Sequence, residues 1–298
     1  MARQSEVDLD LTLYVSFALP MYRRIGSCWV KIFGYGAGTA ICYGEALRCY
    51  GNLCSDDALK YVLGLWLDVE RGLQETEGRA RAIAEELVER FRCLGISASP
   101  WDPLAVLTSA FLSRRTDYHR NTVRWVRALL SRLGGLEAHD IGTIRRVALS
   151  LYEEYGSYQL LQYAEVLGQL REVSLSRPAN PDEVRRSLLR VKYVGPKVAH
   201  SFILHSGLDG TWAPVDVHYE RFLRRHSLLG EGRLLPPKAL CSRYSCPSCP
   251  LSSSCVYAYT REVFGRLNGF VQTAAYVMGK LGIESCEDLG RVRSLVAV

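Results

Sequence analysis

Apolar positions along the chain change their period near residue 55. From Leu9 to about Tyr50 they are largely β-branched and aromatic, punctuated by Gly26, Gly34, Gly36, Gly38 and Gly44. Segments such as LTLYVSFAL, CWVKIFGYG and TAICYGEAL read as short strands joined by tight turns, which predicts a small antiparallel sheet. From Ser55 onward the spacing is helical. DDALKYVLGLW and VERGLQETEGRARAIAEELVERFRCLG carry Glu/Arg pairs and end on a glycine. SASPWDP then forms a turn and cap before an apolar helix from Leu104 to Leu112. The polar break Ser113 to Asp117 separates that helix from a basic amphipathic one. Helical patterns continue through IGTIRRVALSLYEEYG, YQLLQYAEVLGQLREV and EVRRSLLRV into the stretch Val191 to Phe222. Beyond it lie the helix VHYERFLRRHSLL, a Gly/Pro-rich connector, a four-cysteine loop and a long apolar helix over TREVFGRLNGFVQTAAYVMGKLG. The predicted fold is mainly α with a small N-terminal antiparallel β-sheet. Its parts are a β subdomain over 1–60, a helical core over 61–240, the cysteine loop over 241–255, and a C-terminal helix over 256–298 that returns to the core.

Composition adds limits. The chain has 298 residues, 48% of them apolar, enough for one large or two small domains. No apolar run reaches the roughly 20 residues that span a bilayer. The start, MARQSEVDLD, lacks the apolar region of a secretory signal. A soluble intracellular protein without a membrane partner is therefore expected. The net charge is +6, and only six of the 37 basic residues are lysine. That skew suits a polyanionic partner, because arginine forks phosphate, although genome composition produces it too.

Ten cysteines invite an account, and four fall within fifteen residues: Cys241, Cys246, Cys249 and Cys255, spaced C-x4-C-x2-C-x5-C. Without a signal peptide, a metal or cluster site is expected over a disulfide framework. One continuous compact loop of thiolates suits a [4Fe–4S] cluster better than zinc, the alternative, which usually takes two separated knuckles. Cys28, Cys42, Cys49 and Cys54 are expected to be small apolar packing residues.

The stretch VKYVGPKVAHSFILHSGLDGTWAPVDVHYERF offers a turn at Val194-Gly195-Pro196, with Lys197 in the first turn of the next helix and Asp216 at the start of another. Gly195 lets the backbone come close to a partner, and the free N–H groups of the following helix make an anion site. The helix dipole lowers the pKa of a lysine placed there, freeing its amine for covalent catalysis. Read singly, Lys197 is a surface lysine and Asp216 an N-cap. His119, His200, His205 and His218 form no metal-ligand spacing.

Together, the hairpin, the lysine two residues after its glycine, the PVDVH sequence and the cysteine loop resemble the helix-hairpin-helix superfamily of DNA glycosylases, over about residues 100 to 278. The resemblance implies that fold, Lys197 as Schiff-base nucleophile, Asp216 as the superfamily's aspartate, and the cysteine loop as the iron–sulfur loop of the endonuclease III branch. The N-terminal sheet and the helix Gly269 to Tyr276 are similar to the 8-oxoguanine DNA glycosylase branch, whose base-pocket helix carries a glutamine and then an aromatic. Gln272 and Tyr276 are four residues apart, hence on one face. An amide for a purine edge and a ring to stack on it are what a flipped-base pocket needs. Arg114 and Arg115 resemble the segment that fills the vacated base position.

The chain departs from the family at Tyr193, where a glycine is usual, and at Lys192, where a proline is usual. Lys192 is thus a rival nucleophile. The first two cysteines are four residues apart where the endonuclease III pattern has six. The resemblance implies a monomeric bifunctional DNA glycosylase/AP lyase of base excision repair, cytoplasmic and nucleoid-associated, acting on double-stranded DNA with a damaged base, 8-oxoguanine preferred. An endonuclease III-like activity on oxidised pyrimidines and a non-catalytic DNA-binding module are the alternatives.

Overall fold

The computed structural model describes residues 6–43, 47–176, 180–230, 232–235 and 237–296. It opens with a helix where strand-like texture predicts a strand: α1, Leu9–Tyr14. The Asp8 carboxylate caps it, accepting the Leu11 N–H at 2.8 Å. Leu9 to Leu13 are all buried, so no polar face marks the helical period, and a short apolar run is ambiguous between strand and helix.

The sheet follows, with strands β1 (Tyr22–Ile25), β2 (Cys28–Lys31), β3 (Ala40–Cys42) and β4 (Arg48–Tyr50) in an antiparallel meander. Here the cysteines overturn an expectation. Cys28 lies directly opposite Cys42 in the register, and the two form a disulfide; a second closes Cys49 onto Cys54. A third joins Cys93 to Cys286 across 193 residues. All six cysteines outside the four-cysteine loop are thus paired, a matter of tertiary proximity that sequence spacing does not encode. The sheet is tied to the helical body by a buried ion pair, Lys31 Nζ to Asp102 Oδ2 at 2.5 Å, with 0% and 1% of the side chains exposed. Asp102 also accepts the Ser99 hydroxyl and the Tyr35 N–H, so its charge is well met.

The helical body comprises α2 (Asp56–Val62), α3 (Val69–Glu75), α4 (Gly78–Arg90), α5 (Pro103–Leu112), α6 (Val123–Leu133), α7 (Ile141–Tyr155), α8 (Tyr158–Ser176), α9 (Pro181–Arg190), α10 (Pro196–His205), α11 (Val217–Arg225), α12 (Lys238–Arg243), α13 (Val256–Phe264), α14 (Asn268–Tyr276) and α15 (Gly290–Val296). Side-chain caps start many of them, as Ser55, Asp140 and Asn180 do for α2, α7 and α9. The long C-terminal helix predicted from its apolar run is broken. Gly265 takes φ +47° and a 3₁₀ turn separates α13 from α14. Both pieces bury apolar faces, so hydrophobic spacing alone does not reveal the break.

Two hydrophobic cores result. One joins the sheet to α5–α10, around Trp29, Phe111, Leu129, Leu167 and Phe202. The other joins α3 and α4 to α11, α13 and α14, around Leu87, Phe91, Leu223, Phe264 and Phe270. The second core is therefore built from two distant parts of the chain. Helices α1 and α10 contribute to both: Leu13 and Ile203 to the first, Leu11 and Leu204 to the second. The cleft between the cores opens beside these shared helices.

Candidate active site

The hairpin is formed by α9, the turn Val191 to Gly195 and α10. Tyr193 occupies the left-handed region at φ +66°, the position where the resembled family places a glycine. Two bonds hold it there, and a third ties its neighbour Lys192 to the same glutamate. Its hydroxyl donates to Glu165 Oε2 at 2.9 Å, Lys192 Nζ donates to Glu165 Oε1 at 2.8 Å, and Arg114 Nη1 donates to the Tyr193 carbonyl at 2.9 Å. The hydrogen bond to Glu165 pushes the Lys192 pKa up, the reverse of what a free amine nucleophile needs. Lys192 lines neither of the cavities described below. Gly195 starts α10 in an extended conformation, and a Cβ there would meet no atom within 4 Å. Nothing in the protein requires the glycine, which leaves that backbone open to an external partner.

Lys197 follows at the mouth of α10, exposed, with no hydrogen bond or ion pair among the described residues. It lies between two cavities. One, of about 460 Å³, also contains Asp216, Gln272 and Tyr276, so the four residues singled out for chemistry and base binding converge although they span 80 positions. Asp216 caps α11, its Oδ1 accepting the N–H groups of His218 at 3.0 Å and Tyr219 at 2.8 Å. That fixes the carboxylate at the cavity wall. Gln272 and Tyr276 share one face of α14, and Gln272 is only 5% exposed. Burial and the neighbouring Asp216 raise the Tyr276 pKa, which keeps its phenol protonated. Its ring stands edge-on to His218 at 5.7 Å. Gly279 makes room for that imidazole: a Cβ there would lie 2.7 Å from His218 Nδ1.

The second cavity, of about 520 Å³, is lined by Arg114, Arg115, Tyr158, Tyr193, Gly195 and Lys197 on the hairpin side. Its two arginines differ in role. Arg114 donates to the Phe111 and Tyr193 carbonyls and to Gln162 Oε1, and stacks on Phe111 at 3.8 Å. Burial pulls its pKa down to about 10. Arg115 is exposed at φ +52° and projects from the rim. Of the two, only Arg115 is without a hydrogen bond or ion pair among the described residues.

Sequence reasoning missed several cavity residues. Phe17 and Val15 come from the segment after α1, and Ser201 and His205 from the inner face of α10. Burial lowers the His205 pKa to about 4, so its ring is neutral and bonded to the Ser97 carbonyl through Nδ1. Asp117 and Lys280 complete the wall with an ion pair. Lys280 continues the four-residue spacing of Gln272 and Tyr276, a signal present in the sequence.

The four remaining cysteines are free thiols and line one small cavity with Arg185, Tyr244 and Tyr257. Arg185, 1% exposed, donates from Nη1 to the Cys241 carbonyl and from Nη2 to the Tyr244 carbonyl, both at 2.7 Å, and pairs with Asp182. It thereby fastens the loop to α9. Burial pushes the Cys241 thiol up to about 11. A tetrahedral zinc ion with Zn–S near 2.3 Å draws its thiolates to about 3.8 Å of one another. Among the described residues no three His, Cys, Asp or Glu side chains are arranged around a single ion in this way.

No protein-family model matches the sequence, and no curated protein does. Solved structures do match. MBOgg1 in complex with a low-affinity DNA ligand is 16% identical with a TM-score of 0.62, covering 93% of each chain. The 8-oxoguanine glycosylase/lyase of Clostridium acetobutylicum, bound to double-stranded DNA with cytosine opposite 8-oxoG, is 14% identical with a TM-score of 0.58, over 93% of this chain and 92% of that one. The 3-methyladenine DNA glycosylase of Archaeoglobus fulgidus is 15% identical with a TM-score of 0.59, over 93% and 96%. Identities this low establish the architecture: the chain has the fold of the helix-hairpin-helix DNA glycosylases.

Proposed function

We propose that the protein is a DNA glycosylase with lyase activity that removes an oxidised base, 8-oxoguanine foremost, from duplex DNA. The observation that carries this is the convergence of Lys197, Asp216, Gln272 and Tyr276 on one cavity in the cleft. The open backbone at Gly195 and the N–H groups of α10 would hold a phosphate without reading sequence. Arg115 would fill the gap left by the extruded nucleotide, and the base would enter the cavity beside Tyr276 and Gln272. The Lys197 amine then attacks C1′. The glycosidic bond breaks with its electron pair leaving on the base, which takes up a proton. Opening of the sugar gives an imine to Nζ, and loss of a C2′ proton expels the 3′ phosphate. Asp216, held at the wall by the α11 N–H groups, takes the proton that frees the amine and stabilises positive charge developing on the sugar.

Cys241, Cys246, Cys249 and Cys255 would hold a [4Fe–4S] cluster. The four thiols line one common cavity, and the buried Arg185 guanidinium beside them would offset the negative charge of a bound cluster. Such a cluster supplies a covalent brace for the loop between α12 and α13. Iron analysis and visible absorbance test it, and a colourless zinc-containing protein would refute it.

The activity is tested by borohydride trapping on duplexes carrying 8-oxoguanine, thymine glycol or 3-methyladenine. A covalent adduct with 8-oxoguanine, lost in Lys197→Gln, is expected. Release of thymine glycol without 8-oxoguanine would reassign the substrate, release without trapping would remove the lyase step, and neither would leave a DNA-binding module.

A further inference from the structure

Five of the polar groups lining the base cavity are already committed within the protein. The Ser113 hydroxyl donates to the Ala110 carbonyl, Thr273 to the Gly269 carbonyl, and Tyr118 to the Ser16 carbonyl. Thr116 accepts from Asn121, and His205 is bonded to Ser97. Apart from Lys197 and Asp216, which serve the sugar, this leaves Gln272, Ser201, His218, the Tyr276 hydroxyl and the Asp117–Lys280 pair to face a base, and of these only the pair sets an anionic acceptor beside a cationic donor. The two partners of that pair come from opposite sides of the cleft. Asp117 begins the π-helical turn Tyr118–Thr122 and Lys280 lies in the π-helical turn Val277–Leu281, directly after α14. Gln272, Tyr276 and Lys280 therefore form a continuous stripe along one cavity wall. One Asp117 oxygen accepts the Arg120 N–H at 2.9 Å, and the other meets Lys280 Nζ at 3.3 Å. With 33% and 42% of their side chains exposed and a long contact, the pair contributes little to stability. It is a poor latch, and its oxygen and ammonium are cheaply redirected to an incoming group.

We propose that Asp117 and Lys280 are a base-reading pair that recognises, on the extrahelical base, an N–H donor adjacent to a carbonyl oxygen. The inference rests on the glycosylase assignment above and extends it to the atoms read. The carboxylate accepts the N–H and the ammonium donates to the carbonyl, an edge that the five-membered ring of 8-oxoguanine presents at N7 and O8. A base lacking that edge would part the two charges without replacing their mutual contact, and a polar site rejects analogues that leave its groups unpaired.

The test pairs protein variants with an edited base. Single-turnover excision is measured for 8-oxoguanine and for 8-methoxyguanine, which has neither the N–H nor the carbonyl. Asp117→Asn keeps an acceptor for the Arg120 N–H while removing the charge, and Lys280→Gln removes the ammonium. The preference of the unaltered protein for 8-oxoguanine is expected to shrink about tenfold or more in each variant, the value of one charge-assisted hydrogen bond. An unchanged ratio overturns the inference, whether both rates stay constant or both fall together as loss of a purely structural contact would make them. If the unaltered protein traps on a preformed abasic site but excises neither base, the substrate and this inference fail while the lysine chemistry stands. If it does neither, the glycosylase assignment itself has failed.

Discussion

The disulfide between Cys93 and Cys286 fastens the end of α4 to the segment that leads into α15, whose Val292 is buried against the second core. Its loop of 193 residues is the largest of the three; the others close 14 and 5. In the chain-entropy account, closing loops of these lengths removes unfolded-state freedom amounting to about 5, 3 and 2 kcal/mol respectively at 25 °C. The double variant Cys93→Ser/Cys286→Ser leaves the two small loops intact and isolates the large one. Unfolding entropy near the midpoint is roughly 0.6 kcal/mol per degree for a chain of this length, so the melting temperature is expected to fall by about 8 °C. Calorimetry without reductant measures it. A reductant should lower the melting point of the unaltered protein further than that of the variant. A shift within about 1 °C would refute the stabilising role. Thiol titration of the denatured, metal-free protein provides the second check: four reactive thiols are expected, and ten would refute all three bridges.

Tyr193→Gly relieves the left-handed backbone but removes the bond to Glu165, so stability should change little, whereas Tyr193→Val, β-branched at φ +66°, should cost more than about 1 kcal/mol in denaturant unfolding. Lys31→Met strands the buried Asp102 carboxylate and should destabilise by about 3–5 kcal/mol, with partial recovery in Lys31→Met/Asp102→Asn. His119, His200 and His205 have pKa values lowered by burial to about 4, 3 and 4. The unfolded chain therefore binds more protons than the folded one below about pH 6.5, and stability should be lost progressively as pH falls from there towards 4, by several kcal/mol in all. Urea midpoints that stay flat across that window would contradict the buried neutral rings.

Local chemistry made much of this protein legible. The Gly195-Pro196-Lys197 turn, the Asp216 cap and the Gln272/Tyr276 spacing each depend on residues a few positions apart, and such features survive in any tertiary context that keeps the helices. The four cysteines of the loop belong together for the same reason. Even the departure at Tyr193 pointed to a real feature, a backbone conformation that glycine would adopt more easily.

Tertiary structure decided what distant segments do to one another. α1 is a helix because Asp8 caps it and two cores bury it on all sides, which erases the periodicity a reader would need. Cys28 and Cys42, expected as packing residues, are paired because the sheet register sets them opposite, and the fold of the C-terminal segment brings Cys286 to Cys93. Lys192 meets its partner Glu165, 27 positions earlier on α8. Asp117 and Lys280 meet across 163 residues. Short-range propensity is written in the order of residues, whereas the partners of a charge or a thiol are set only when the two cores close around the cleft.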